Sequence, residues 1–432
     1  MQRLEKLSSH LAVVACAMFA VALAGCSPKA TPEPQALAIS GMANATPSIA
    51  ASGDFVAVAW GATDANGSTD VYAAVSLDGG VTFGEPVRVN DEDGDASLNG
   101  EQPPRVALVP RSEGEPVIAV VWTAKNAEGT TLLLSRSQDG GQSFGRDFVV
   151  PGTEAAGNRG WHSIAVADGR VHTLWLDHRE MAAGSDVATS HHEHAASAEG
   201  TRDGVAMAQK SKLYIASTDG AVAARAITGG VCYCCKTTFA AGTNNSLYAA
   251  WRHVYAGNIR DIAFTLSRDG GRTFAAPIRV SEDGWVLDGC PENGPSMVVD
   301  GEQVHVVWPT LVGATAADSE TLALFYAMSR DGQTFTPRQQ IPTEGVPRHV
   351  QIAMVPGGTV VLAWDEATNG TRRVATARGT PDATGQVKFQ RDTTDSAEGT
   401  YPVLATTANA VVTAWTSGSP TDSVIRVERR AF

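Results

Sequence analysis

A short turn motif recurs along this chain and restricts its possible folds more than any other feature. Ser76-Leu-Asp-Gly-Gly-Val-Thr-Phe83 returns as Ser137-Gln-Asp-Gly-Gly-Gln-Ser-Phe144 and as Ser267-Arg-Asp-Gly-Gly-Arg-Thr-Phe274. A fourth copy, Ser329-Arg-Asp-Gly-Gln-Thr-Phe335, is one residue shorter. Each copy reads as a tight hairpin. The Asp and Ser oxygens can take backbone N–H groups inside the turn, Gly supplies a positive φ, and the Phe anchors the turn. A hairpin repeated at this spacing points to a radial array of small sheets.

A second repeat runs alongside the first. An apolar alternating strand ends in Trp seven times, at Trp60, Trp122, Trp175, Trp251, Trp308, Trp364 and Trp415. Each is preceded by another short β-rich run, and most are followed by a strand leading into the hairpin. Helical periodicity is nearly absent beyond the N-terminus. The expected fold is all-β: a β-propeller of four-stranded blades, with seven blades and six as the alternative. The last unit, 401–432, holds only three strands, so the N-terminal run 36–40 is expected to supply its fourth and close the ring. The motif weakens to Ser217-Thr-Asp-Gly220 in the third unit and is unrecognisable in the sixth.

The hairpins resemble the Asp-box of the sialidase-like β-propeller superfamily. That resemblance implies structural roles for Asp78, Asp139, Asp269 and Asp331. It also implies a ligand site on the face opposite the boxes. The boxes themselves carry no catalytic residue.

Residues 1–25 read as a secretory leader. Arg3 and Lys6 precede a short apolar run that ends in Leu23-Ala-Gly-Cys26. This ending resembles the bacterial lipobox and implies lipidation of Cys26. Residues 26–36 are then a tether and 37–432 a single propeller domain. Ser27 after the cysteine implies the cell envelope, at the periplasmic face of the outer membrane, with a lipid anchor as the membrane contact. The formal net charge of −13 argues against nucleic acid and polyanionic glycans as partners. The expected state is a monomer.

Four cysteines remain after such a leader: Cys232, Cys234, Cys235 and Cys290. An oxidising compartment favours disulfides among them. The loops that start each unit carry the chemically interesting residues, at 102–105, 158–162, 230–235, 288–294, 346–349 and 398–401. The two cysteine loops start neighbouring units, so the thiols are expected together at one mouth of the funnel. The long loop 176–212 brings His191, His192 and His194 to the same face, and His162 lies in the loop before it. Cysteine and histidine together form a ligand set for copper or zinc, and two structural disulfides are the alternative reading. Arg159, Arg252, Arg260 and Arg348 point to this face as a carboxylate-binding cluster, with an internal Arg260/Asp261 pair as the plainer option.

The superfamily resemblance suggests a further set of residues. A sialidase needs an arginine clamp, a Tyr–Glu nucleophile pair and an acid. By position, Arg105, Arg252 and Arg348 could form the clamp, Tyr401 with Glu398 the pair, and Asp177 the acid. The family's early Arg-Ile-Pro signature is missing, because the first unit starts with Thr46-Pro-Ser-Ile49. Three functions follow. The first is a binding protein that takes a small molecule or a metal at a Cys/His funnel. The second is a sialidase-type exo-glycosidase. The third is a non-catalytic scaffold for an envelope protein.

Overall fold

The computed structural model describes residues 34–181, 204–287, 291–312, 321–392 and 397–432. They form seven four-stranded antiparallel sheets, and these are the blades of a seven-bladed β-propeller. In the first blade Ala43–Ser52, Phe55–Thr63, Thr69–Ser76 and Val87–Arg88 pair in sequence order. Blades two to six repeat this order, starting at Arg105, Arg159, Thr238, Ser296 and Val346. Blade seven takes Thr400–Thr406, Ala410–Ser419 and Asp422–Ala431 from the C-terminus. Its outer strand is Gln35–Leu37, with Leu37 opposite Ile425 and Gln35 opposite Val427. The ring therefore closes with the N-terminal strand, as the three-strand last unit requires. The pairing begins at Gln35, two residues before the expected domain boundary, and ends at Leu37 rather than at residue 40.

The seven Trp residues end the middle of each second strand and are fully buried. Several indole N–H groups donate to buried acceptors, Trp60 to Asn44 and Trp364 to Glu366. Apolar side chains on both faces of each sheet pack against the next blade. One cluster joins Trp60 and Val58 to Val412 and Ile425 across the closure. Another joins Trp251 and Leu247 to Leu174 and Ile215. The seam between blades six and seven has a polar character: Asp365, paired with Arg372, accepts the Tyr401 amide there, and Arg430 faces Asp392.

The four Asp-boxes join third strands to fourth strands, so they all lie on one face. In the first, Asp78 Oδ1 accepts the Thr82 N–H at 2.8 Å while Ser76 Oγ accepts the Gly80 N–H at 2.8 Å. Asp139 and Asp269 repeat this with Ser143 and Thr273. In the shorter copy, Asp331 takes the amides of Gln333 and Thr334. The box phenylalanines reach the preceding blade, and Phe335 meets Phe264 edge-on at 5.2 Å.

Candidate functional site

The opposite face is built from the starts of the first strands. In blades one, three, six and seven that strand carries a bulge, and a non-glycine residue sits there at positive φ: Thr46 (57°), Trp161 (50°), His349 (53°) and Tyr401 (54°). Such a conformation costs on the order of 1–3 kcal/mol for a side-chain-bearing residue and persists only when its surroundings hold it. The holding groups are visible. Thr416 Oγ1 accepts the Thr46 amide at 2.9 Å, and Asp365 Oδ1 accepts the Tyr401 amide at 3.1 Å. Thr416 and Asp365 each follow the buried Trp of the blade before, so one register position serves the next blade's bulge.

Asp365 does more than brace the backbone. It is fully buried, and its Oδ1 takes His349 Nδ1 at 2.6 Å while Oδ2 takes Arg372. This fixes the imidazole and leaves Nε2 facing Glu101 Oε1 at 4.0 Å. Burial pushes the Asp365 carboxyl up, but His349 and Arg372 outweigh it and hold the group below its ordinary value. Glu101 is 6% exposed. Its Oε2 accepts the Lys236 amide, and its Oε1 is buried without a hydrogen-bond partner among the described residues. The Tyr401 ring lies 4.0 Å from the His349 ring, centroid to centroid. Its far end rests on Gly100, where a Cβ would come within 2.0 Å of the ring.

Below this mouth a cavity of about 190 Å³ follows the axis between the first strands, and Arg105 and Lys236 line it. Arg105 Nε donates to the His162 carbonyl. Burial draws both cations down, Arg105 to about 10, and Glu101 partly counters that. No protein hydrogen bond to Lys236 Nζ occurs among the described residues.

The structure redistributes the residues singled out from the sequence. Arg348 stands at the mouth beside Tyr401, with a buried Nε that has no partner among the described residues. Arg252 is committed elsewhere, donating to the carbonyls of Asn293, Arg260 and Pro309. Arg159 binds Asp177 and the carbonyls of Gly157 and Ala156. The expected arginine cluster is therefore not assembled. Arg260 and Asp261 do not pair either. Arg260 bonds Leu287 and Asn258, whereas Asp261 takes the Gly284 amide and Arg279.

Asp177 is a buried joint between Trp175, Arg159 and Arg179, so it cannot serve as an exposed acid. Glu398 is 69% exposed on its side chain and faces Arg373, so it forms no pair with Tyr401. Burial, with Glu101, Asp365 and Glu292 nearby, pushes the Tyr401 phenol well above its ordinary value, the reverse of what a nucleophile needs. His162 is buried, its Nε2 on the Val121 carbonyl, and burial draws it down to about 3. Cys26, His191, His192, His194 and Cys290 lie outside the described residues.

The three remaining cysteines are together and buried, between blades three and four. Cys234 is disulfide-bonded. Cys232 and Cys235 carry free thiols with their sulfurs 3.4 Å apart, so the reading of two disulfides does not hold for this pair. Arg260 donates to Cys232 Sγ at 3.1 Å. Burial raises the Cys232 thiol, but the Cys235 hydrogen bond and then Arg260 and Arg252 outweigh it and favour the thiolate. Burial and the neighbouring Cys232 keep Cys235 protonated.

Sequence reasoning missed Glu101, Lys236, Asp365 and Arg372 as site residues, and it quoted His349 only as part of a loop. The signal for Asp365 was present. It is the one carboxylate directly following a blade Trp, at the register position occupied by Gly61, Thr123, Leu176, Arg252, Pro309 and Thr416 in the other blades.

Fold and site together define the class: a seven-bladed β-propeller with Asp-box hairpins on one face and a polar funnel on the other. No family model matches the chain, and no curated protein matches it. Among solved structures it is similar to a ulvan lyase of a new polysaccharide-lyase family, bound to -[GlcA(1-4)Rha3S]-. The TM-score there is 0.54 at 10% identity, over 91% of this chain and 93% of that one. It also resembles an α-L-arabinofuranosidase from Fusarium graminearum (TM-score 0.49, 10% identity, 93% and 98% covered). A Hadza microbial sialidase aligns at TM-score 0.46 and 13% identity, over 84% and 73%. At these identities the likeness concerns the fold.

Proposed function

We propose that the funnel mouth is a site for the acidic end of a saccharide, with His349 as its proton-transferring group. One observation carries the reading: Glu101 Oε1 is buried without a partner, 4.0 Å from the Nε2 of a histidine that Asp365 holds in place. A buried carboxylate oxygen calls for a donor. A sugar hydroxyl can donate to Glu101 and, when the imidazole is protonated, accept from His349 Nε2 at once, filling that gap. Arg105 and Lys236 stand ready for a carboxylate below. An imidazole oriented by a buried aspartate is suited to general acid–base work. The chain's net charge of −13 disfavours long polyanions, so the ligand is a chain end or a small acidic sugar. The comparison with the ulvan lyase supports carbohydrate as the ligand class only through the shared fold. The Tyr401–Glu398 pair expected of a sialidase is not formed, since Glu398 faces Arg373.

The test is calorimetric titration with uronate- and sialate-ended oligosaccharides beside their neutral analogues. Preference for the acidic ligands, reduced about tenfold or more in Lys236→Met, is expected. Equal affinity for the neutral analogues would remove the proposal. Product release from any bound saccharide, abolished in His349→Gln, would establish turnover.

A further inference from the structure

The free thiol pair lies outside the mouth and takes no part in the saccharide reading. Cys232 and Cys235 are 0% and 2% exposed, with sulfurs 3.4 Å apart. Two reduced thiols held this close by one short loop are a bidentate sulfur donor. The third sulfur, Cys234, is 3.8 Å from Cys232 but is disulfide-bonded, so it is no thiolate. Among the described residues the three cysteines are the only His, Cys, Asp or Glu group close enough to share an ion. No imidazole or carboxylate among the described residues joins them. A structural zinc site needs four such ligands, and the described residues bring only these sulfurs together. Soft thiolates in low number select monovalent copper. The surroundings fit the charge that would result. Loss of both thiol protons on binding one Cu(I) leaves a net charge of −1 on the copper–dithiolate unit. Arg260 already donates to Cys232 Sγ at 3.1 Å, and the Arg252 guanidinium, held over Trp285, adds a second positive charge nearby. An anionic complex buried beside two fixed guanidinium groups is compensated, whereas the neutral unit that a divalent ion would form with the same two thiolates leaves both guanidinium charges unopposed.

We propose that Cys232 and Cys235 form a buried dithiolate site for a single Cu(I) ion. No electron transfer is involved: two protons leave to solvent and two copper–sulfur bonds form.

The experiment uses the full chain, made in an oxidising compartment and handled without reductant or oxygen, titrated with Cu(I) carried by a chromophoric chelator. The expected result is transfer of one copper per chain, lost in Cys232→Ser and in Cys235→Ser, with zinc not competing at equal concentration. X-ray absorption on the loaded wild-type protein reads the donors directly and does not depend on the variants folding. A shell of sulfur alone is expected, and nitrogen or oxygen in it would overturn the proposal. So would failure of the folded protein to take copper from the chelator, or an unfolded-state thiol count of zero showing that the pair is already a disulfide. Each of these outcomes leaves the saccharide reading untouched, because Lys236→Met and His349→Gln change neither thiol.

Discussion

Asp365 holds two strained residues at once, the His349 ring and the Tyr401 amide. Its amide isostere keeps the size but loses the charge that faces Arg372 and His349. Asp365→Asn is therefore expected to lower affinity or turnover at the mouth by one to two orders of magnitude, about 1.4–3 kcal/mol. Assays on a variant with wild-type circular dichroism would check it, and unchanged activity would show that the dyad is only structural. Tyr401 is a packing residue against His349 and Gly100. Tyr401→Phe should retain most function, whereas Gly100→Ala, which drives a methyl into the ring, should cost both stability and ligand binding. His178 gives a cleaner residue-scale test. It is buried, neither ring nitrogen has a partner among the described residues, and it leans on Trp161 at 5.2 Å. Burial draws it down from 6.5 to about 4, with Arg159 adding to that and Asp177 opposing it. The unfolded chain then binds the proton more readily, so stability is full above pH 6.5 and falls as pH drops toward 4. His178→Phe should remove about 2 kcal/mol of the stability lost between pH 7 and 5, read from denaturant melts at both values.

At the scale of elements, the boxes and the closing strand are the parts a sequence can show. Asp269→Ala should cost about 1–2 kcal/mol, as for a lost turn cap. Saccharide affinity should not change, because the box is on the far face. A folded variant with weakened binding would contradict the separation of faces. Local chemistry also explains what was missed. Blade six has no Ser-x-Asp motif, yet Asp382 takes the amides of Thr384 and Gln386 in a hairpin at the same place. The turn needs a carboxylate facing two amides, and more than one spacing provides that. The closing strand is short, but its loss would bare the edge of Asp422–Ala431. Deleting residues 34–37 is expected to lower the melting temperature and to produce oligomers on size exclusion, since an unpaired edge recruits other chains.

At the scale of the molecule, the repeat phase assigned the thiol loop and the mouth to one face and the boxes to the other, and the described residues agree. Blade count, strand order and ring closure were legible because each follows from local pairing: seven Trp strands, alternating side chains and turn residues at fixed offsets. What the repeat could not reveal is which loop residues meet. Arg105, Arg252 and Arg348 looked equivalent by position. Arg252 is consumed by three carbonyls, Arg260 of its own blade and Asn293 and Pro309 of the next, and in one case that depends on backbone more than fifty residues away. The sequence alone determined the blade and its repetition, since a hairpin or a buried Trp strand is stabilised by neighbours a few residues off. Only the tertiary structure decided that Glu101, Asp365 and His349 meet at the mouth with Lys236 below them, and that the Cys232 and Cys235 sulfurs lie side by side. Most of those groups come from distant stretches of the chain, and distance, charge and solvent exclusion between them exist only once the ring has closed.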